Sequence, residues 1–257
     1  MDHKDYPQLI GEVLHVTTDE RSRNWVYDEN ASKLSREVQI VSVENIPSIR
    51  ANGVSLPSHR ILEGDILIKH PYEDNNYIDA SKAAFEIRFT KYTLISELAQ
   101  ILGASSYEIE EAIESVEERS WSAEGNLEYK VIKTGISIKD EKTLKNTMGI
   151  SISDIYPGKG IISESSYKKA VAFAKQYHLW EDSMVRSLIR KRQAQENPLL
   201  EEKLHFDVTK EANERLDAAF SLNCLCGLFS IDASLNKILS RRETIILDIK
   251  FTFPDNK

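Results

Sequence analysis

The chain has 257 residues, 41% hydrophobic and 29% charged, with 41 acidic against 33 basic side chains and a formal net charge of −8. This is an ordinary globular composition, long enough to bury a large core without disulfide staples. The acidic balance repels nucleic-acid phosphates and anionic lipid headgroups over about a Debye length, so binding to either would need a local basic patch.

The N-terminal MDHKDYPQLIG is charged and lacks the apolar run of a signal peptide. The longest uncharged run, Ala218 to Ile231, is shorter than a spanning helix. A soluble, cytoplasmic protein is therefore expected.

In chain order, GEVLHV (Gly11 to Val16) and REVQIVSVE (Arg36 to Glu44) are rich in β-branched residues and predict strands. The polar stretch Asp19 to Ser35 reads as an exposed connection. NIPSIRANGVSLPSH is broken by Pro47, Asn52-Gly53 and Pro57 and predicts turns. GDILIKH, ending at His70, resumes as a short strand.

The sequence KHPYEDNNYIDA then gathers His70, Tyr72, Glu73, Asp74, Tyr77 and Asp79. A general base needs a partner that orients it and a pocket that tunes its pKa, and these residue types could supply both. Pro71, with its fixed φ, and the turn-favouring Asp and Asn residues also describe a sharp exposed turn. The turn is the primary reading, with ligand or partner contact through His70, Tyr72, Glu73, Asp74 and Tyr77 second. No metal-binding spacing is present.

A change of texture near Phe89 suggests a β-rich N-terminal region over 1–89 and an α+β domain with helix/β-hairpin units over 90–257. Leu94, Leu98, Ile101 and Leu102 recur at helical spacing, and Gly103 sits where a C-cap belongs. For the next segment, Ile109, Ala112, Ile113 and Val116 suit a helix, with Ser105 and Glu108 as a capping box. A strand through Tyr107, Ile109, Glu111, Ile113 and Ser115 alternates less well. The helix is preferred for 107–119 and the strand left open. The six glutamates from Glu108 to Glu118 then form a solvated face, not a metal site.

NLEYKVIKTGISIKD alternates through Leu127, Tyr129 and Val131, slips phase at Ile132, and resumes at Thr134, Ile136 and Ile138, as a β-bulge would. Met148, Ile150 and Ile152 predict a second strand, paired with the first as an antiparallel hairpin. After the punctuation PGKG, two helices are predicted. Tyr167, Ala170, Val171, Ala174 and Tyr177 stripe the first; Val185, Leu188 and Ile189 stripe the second, which Asp182 can cap. A strand at EKLHFDV, a helix from Ala212 to Cys226 and a strand at ETIILDIKFTF close the chain. Cys224 and Cys226 have no partners for a zinc site and read as small apolar side chains of a reducing compartment.

The basic cluster VRSLIRKRQ sets Arg186, Arg190, Lys191 and Arg192 on one helix. It reads first as a solvated helix end where cations suit the dipole, then as a contact for an acidic partner surface, including the Glu108 to Glu118 run of another copy, and last for phosphates. No phosphate-loop or dinucleotide motif occurs, so no cofactor is expected.

The expected fold is α+β: a mainly antiparallel sheet packed with four or five helices after a β-rich N-terminal region. The expected function is non-enzymatic, by binding another protein or by self-assembly, with nucleic acid disfavoured. Arg186, Arg190, Arg192 and the His70–Tyr77 turn are the candidate contacts. One alternative is membrane action after oligomerisation, by insertion of amphipathic hairpins from Leu127–Ile138 and Ile245–Phe253. The other is an enzyme of unfamiliar type with a site near His70.

Overall fold

A computed structural model of the chain describes residues 11–20, 38–122, 124, 126–139, 153–193, 198–226 and 233–255. The fold is α+β, as the sequence predicts. The strands are β1 (Val13–Thr17), β2 (Val38–Ser42), β3 (Ile66–Lys69), β4 (Tyr77–Asp79), β5 (Ser106–Trp121), β6 (Leu127–Ile138), β7 (Ser153–Ile155), β8 (Glu201–Asp207) and β9 (Arg241–Thr252). The helices are α1 (Ile46–Ala51), α2 (Ala80–Ile101), α3 (Glu164–Gln176), α4 (Ser183–Gln193), α5 (Lys210–Cys226) and α6 (Ala233–Leu239). One sheet has the order β2-β1-β3-β4; the other runs β6-β5-β9-β8, with β7 also paired to β5.

The chain divides into two compact units, each discontinuous in sequence: 1–84, 117–132 and 211–242 form the first, and 85–116, 133–210 and 243–257 the second. Helix α2 runs unbroken past residue 89.

In the first unit, β1 pairs with β2 in parallel and with β3 antiparallel, and β4 returns antiparallel on β3. Every residue of β1 is buried, so its near-continuous apolar run has a direct cause. Leu14, Val16, Val41, Ile46, Ile49, Ile61, Leu67 and Tyr77 form one core cluster. The stretch predicted as turns contains α1, which starts with Pro47 at its first positions and ends before Gly53 at φ 83°. Ile46 and Ile49 supply its buried face.

In the second unit, Ile245, Leu247, Ile249, Phe251 and Phe253 are all buried, as their alternation in the sequence predicts. Strand β8 pairs antiparallel with β9 from Glu201↔Thr252 to Asp207↔Ile246. Helices α3 and α4 start where capping side chains place them: Ser163 Oγ accepts from Ser166 N at 3.1 Å, and Asp182 Oδ1 from Met184 N at 2.8 Å.

One expectation is corrected. Residues 106–121 are strand, not helix. Burial along β5 falls on Tyr107 and Ile109, then on Ala112, Glu114 and Val116, then on Arg119. Its inward face therefore changes parity twice, and the spacing from Ile109 through Ala112 and Val116 to Arg119 imitates a helix. Ser105 caps nothing: its N and Oγ both donate to Thr252 O, at 2.8 and 3.1 Å. The predicted partner strand of the hairpin, at Met148 to Ile152, lies outside the described residues, and only its continuation is seen. Ser153–Ile155 pairs with β5, not β6, in the register Ser106↔Ile155 to Glu108↔Ser153. Strand β6 instead follows β5 through a turn in which Ser122 N donates to Asn126 O at 2.9 Å. Met148, Ile150, Ile152 and the Asp19–Ser35 connection, apart from Asp19 and Glu20, lie outside the described residues.

Candidate functional site

The His70–Tyr77 turn links β3 to β4, and its two kinds of residue part company. Glu73 and Asp74 are exposed, but His70, Tyr72 and Tyr77 are buried, with His70 only 3% exposed. The expected exposed turn is thus half core. His70 Nδ1 accepts from Tyr72 N at 3.3 Å, and its ring meets Tyr72 edge-on at 5.9 Å. Asn76 closes the turn by donating to Glu73 Oε2 at 2.6 Å. Tyr77 donates to Gly11 O at 2.7 Å, and burial pushes its phenol up to about 12. Burial lowers the His70 pKa, against the opposing pull of Glu73. These contacts tie the turn to the sheet.

The basic helix α4 also separates. Arg190 is exposed and Arg186 half-buried, its Nη1 donating to Trp180 O at 3.0 Å. Lys191 reaches Glu202 at 2.5 Å. Arg192 is 2% exposed and is no part of a charged surface. Its guanidinium donates to Leu102 O at 3.1 Å and to Leu199 O, Lys159 O and Gly160 O, each at 2.9 Å. It also lies over the Phe253 ring at 4.0 Å, and burial lowers its pKa to about 10. The physical reason is helical phase. Arg192 continues the stripe of Val185, Leu188 and Ile189, so it points inward and takes up carbonyls that would otherwise be buried unpaired.

The glutamates of β5 are not one solvated face, since Glu114 is buried, and two of them form ion pairs across strands. Glu110 meets Lys203 at 2.8 Å and Glu114 meets Lys133 at 2.7 Å. Among the described residues no group of three or more His, Cys, Asp or Glu side chains could hold a metal ion. The Cys224 and Cys226 side chains lie outside the described part.

What the sequence reading does not single out is the surface of β6. Among the described strands β6 is an edge of its sheet, with β5 its neighbour. Nearly all of its side chains are exposed, on both faces: Val131 is 60% and Ile132 61% exposed, with Tyr129 and Ile136 also exposed. Tyr129 is held from one side, its OH donating to Asp217 Oδ2 at 3.0 Å while the Arg242 guanidinium lies 4.7 Å from its ring centre. Arg119 anchors the adjacent part of β5, donating to Asp217 and to the carbonyls of Leu239 and Arg241. Among the described residues the result is a rooted ribbon with an apolar edge that no strand covers. The sequence shows the apolar pair Val131-Ile132 but not its exposure, which depends on which strands lie beside β6.

Comparisons with protein-family models, curated proteins and solved structures return no match. The functional reading therefore rests on the site's own geometry. Of the two strands considered for membrane insertion, Ile245–Phe253 is a central strand between β5 and β8 with its apolar face buried. Only Leu127–Ile138 is exposed. No helix among the described residues is long and apolar enough to cross a membrane.

Proposed function

We propose that this protein acts by binding protein, through addition of a strand to the open edge of β6. The observation that carries this reading is the joint exposure of Val131 and Ile132 on a 12-residue edge strand. Edge strands present a row of backbone donors and acceptors, and natural proteins keep long apolar ones covered. Covering one such side chain is worth about 1.5–3 kcal/mol. A docked strand would add main-chain hydrogen bonds, which give affinity, and side-chain pockets, which give selectivity.

The buried positions of His70, Tyr72, Tyr77 and Arg192 move the binding proposal away from those residues and onto β6. The test is the native mass of the gently purified protein, compared with a Val131→Lys/Ile132→Lys variant. The variant should lose the assembly or bound protein while keeping the fold and the melting temperature of the unassembled chain, because both side chains lie in water there. An unchanged native mass in the variant would refute the reading.

A further inference from the structure

The edge of β6 carries a charge pattern that suits one particular occupant. Over Leu127–Ile132 its side chains read Leu, Glu, Tyr, Lys, Val, Ile. We infer that the strand docking on β6 is the β6 of a second copy, antiparallel about a two-fold axis at Tyr129. This inference rests on the strand-addition reading above and names its partner.

Two copies of a strand pair antiparallel edge to edge about a two-fold perpendicular to the sheet. Such an axis keeps each face's residues on the same face, so only residues of equal parity can oppose each other. With Tyr129 on the axis, Glu128 of each copy faces Lys130 of the other and Leu127 faces Val131. One face then holds Leu–Val, Tyr–Tyr and Val–Leu pairs; the other holds two Glu–Lys pairs, with Ile132 opposite Asn126 at each end.

The neighbouring registers are worse. Moving the axis to Lys130 sets Lys130 against its own copy, and moving it to Glu128 does the same for Glu128. Like charges directly opposed are destabilising. Over residues 127–131 the strand is thus self-complementary with the axis at Tyr129 and repels itself with the axis moved one residue to either side. Lys130 and Glu128 are both exposed and therefore available to pair. Arg242, the cation over the Tyr129 ring, has Glu117 at 3.9 Å to meet its charge.

The test is a charge exchange read by sedimentation velocity of the full chain over a wide concentration range. The wild type should double in mass with concentration. Glu128→Lys sets two lysines against each other twice, and Lys130→Glu does the same with glutamates, so each variant alone should associate about tenfold or more weakly. An equimolar mixture of the two variants restores both opposite-charge pairs and should regain the doubled mass, as should the double exchange within one chain. Both positions are exposed, and the mixture uses the same two proteins, so misfolding cannot account for a loss that mixing reverses. A wild type that stays monomeric at every concentration would overturn the inference, as would single variants that associate like the wild type. A monomeric wild type that binds a different protein, and loses it on Val131→Lys/Ile132→Lys, would overturn the second copy while leaving strand addition intact.

Discussion

Replacing Arg192 with methionine tests how the second unit is held together. Four carbonyls lose their donor, and two of those contacts, to Leu102 O and Gly160 O, are fully buried. A buried carbonyl left unpaired costs about 1–3 kcal/mol, whereas the less buried carbonyls of Leu199 and Lys159 can turn to water. Loss of the guanidinium over Phe253 adds about 0.5–2 kcal/mol. Part of this is offset, because burying the charge is itself unfavourable, as the lowered pKa of Arg192 reflects. The net expectation is a loss of about 3 kcal/mol, a large share of the roughly 5–15 kcal/mol that stabilises a domain. Arg190→Met, two residues away and exposed, should stay within about 0.5 kcal/mol of the wild type. Urea unfolding of the three proteins, followed by circular dichroism, makes the comparison. A loss below about 1 kcal/mol at Arg192, or equal losses at both positions, would refute the reasoning.

Two further expectations follow from the same contacts. Gly103 sits at φ 76°, and a Cβ there would come within 2.8 Å of Lys159 Cβ and 3.0 Å of Lys159 O. Gly103→Ala should therefore cost about 1–3 kcal/mol in thermal or urea unfolding, and combined with Arg192→Met should fall short of the summed losses, because both act on the Lys159 loop; full additivity would contradict the shared contact. His70 has a folded pKa below its ordinary 6.5, so the unfolded chain takes up this proton first as pH falls. Its contribution is present above 6.5 and is lost as pH drops through the lowered folded value. His70→Gln should flatten the acid side of the stability–pH curve, and parallel curves for the two proteins would show that burial does not hold His70 neutral.

Much of the fold is legible in the sequence because single-period patterns survive there. From Ile245 to Phe253 the alternating apolar face is buried throughout; β1 is apolar apart from His15 and Thr17, and all of it is inside. Strand β5 is hidden for a physical reason. Two changes of inward parity destroy the period of two and leave apolar residues three and four apart. Arg192 is misplaced when charge is given more weight than phase, although Val185, Leu188, Ile189 and Arg192 form one stripe. His70 is a similar case: Ile66, Leu67 and Ile68 are all buried, so β3 is covered on both faces and the burial runs on into the turn at His70. The open edge of β6 is beyond a reading of local pattern, because which strands lie beside it is a fact of long-range pairing. The same alternation serves a covered strand and an exposed one.

The central claim is that residues 127–132 of β6 accept a strand. Amide hydrogen exchange of that segment, measured at low and at high protein concentration, addresses it most directly. Edge pairing predicts that the outward-facing amides of 127–132 exchange rapidly in dilute protein and become protected as concentration rises, while the buried amides of β9 are unchanged. Exchange over 127–132 that stays fast at every concentration and with co-purified protein present would contradict the account.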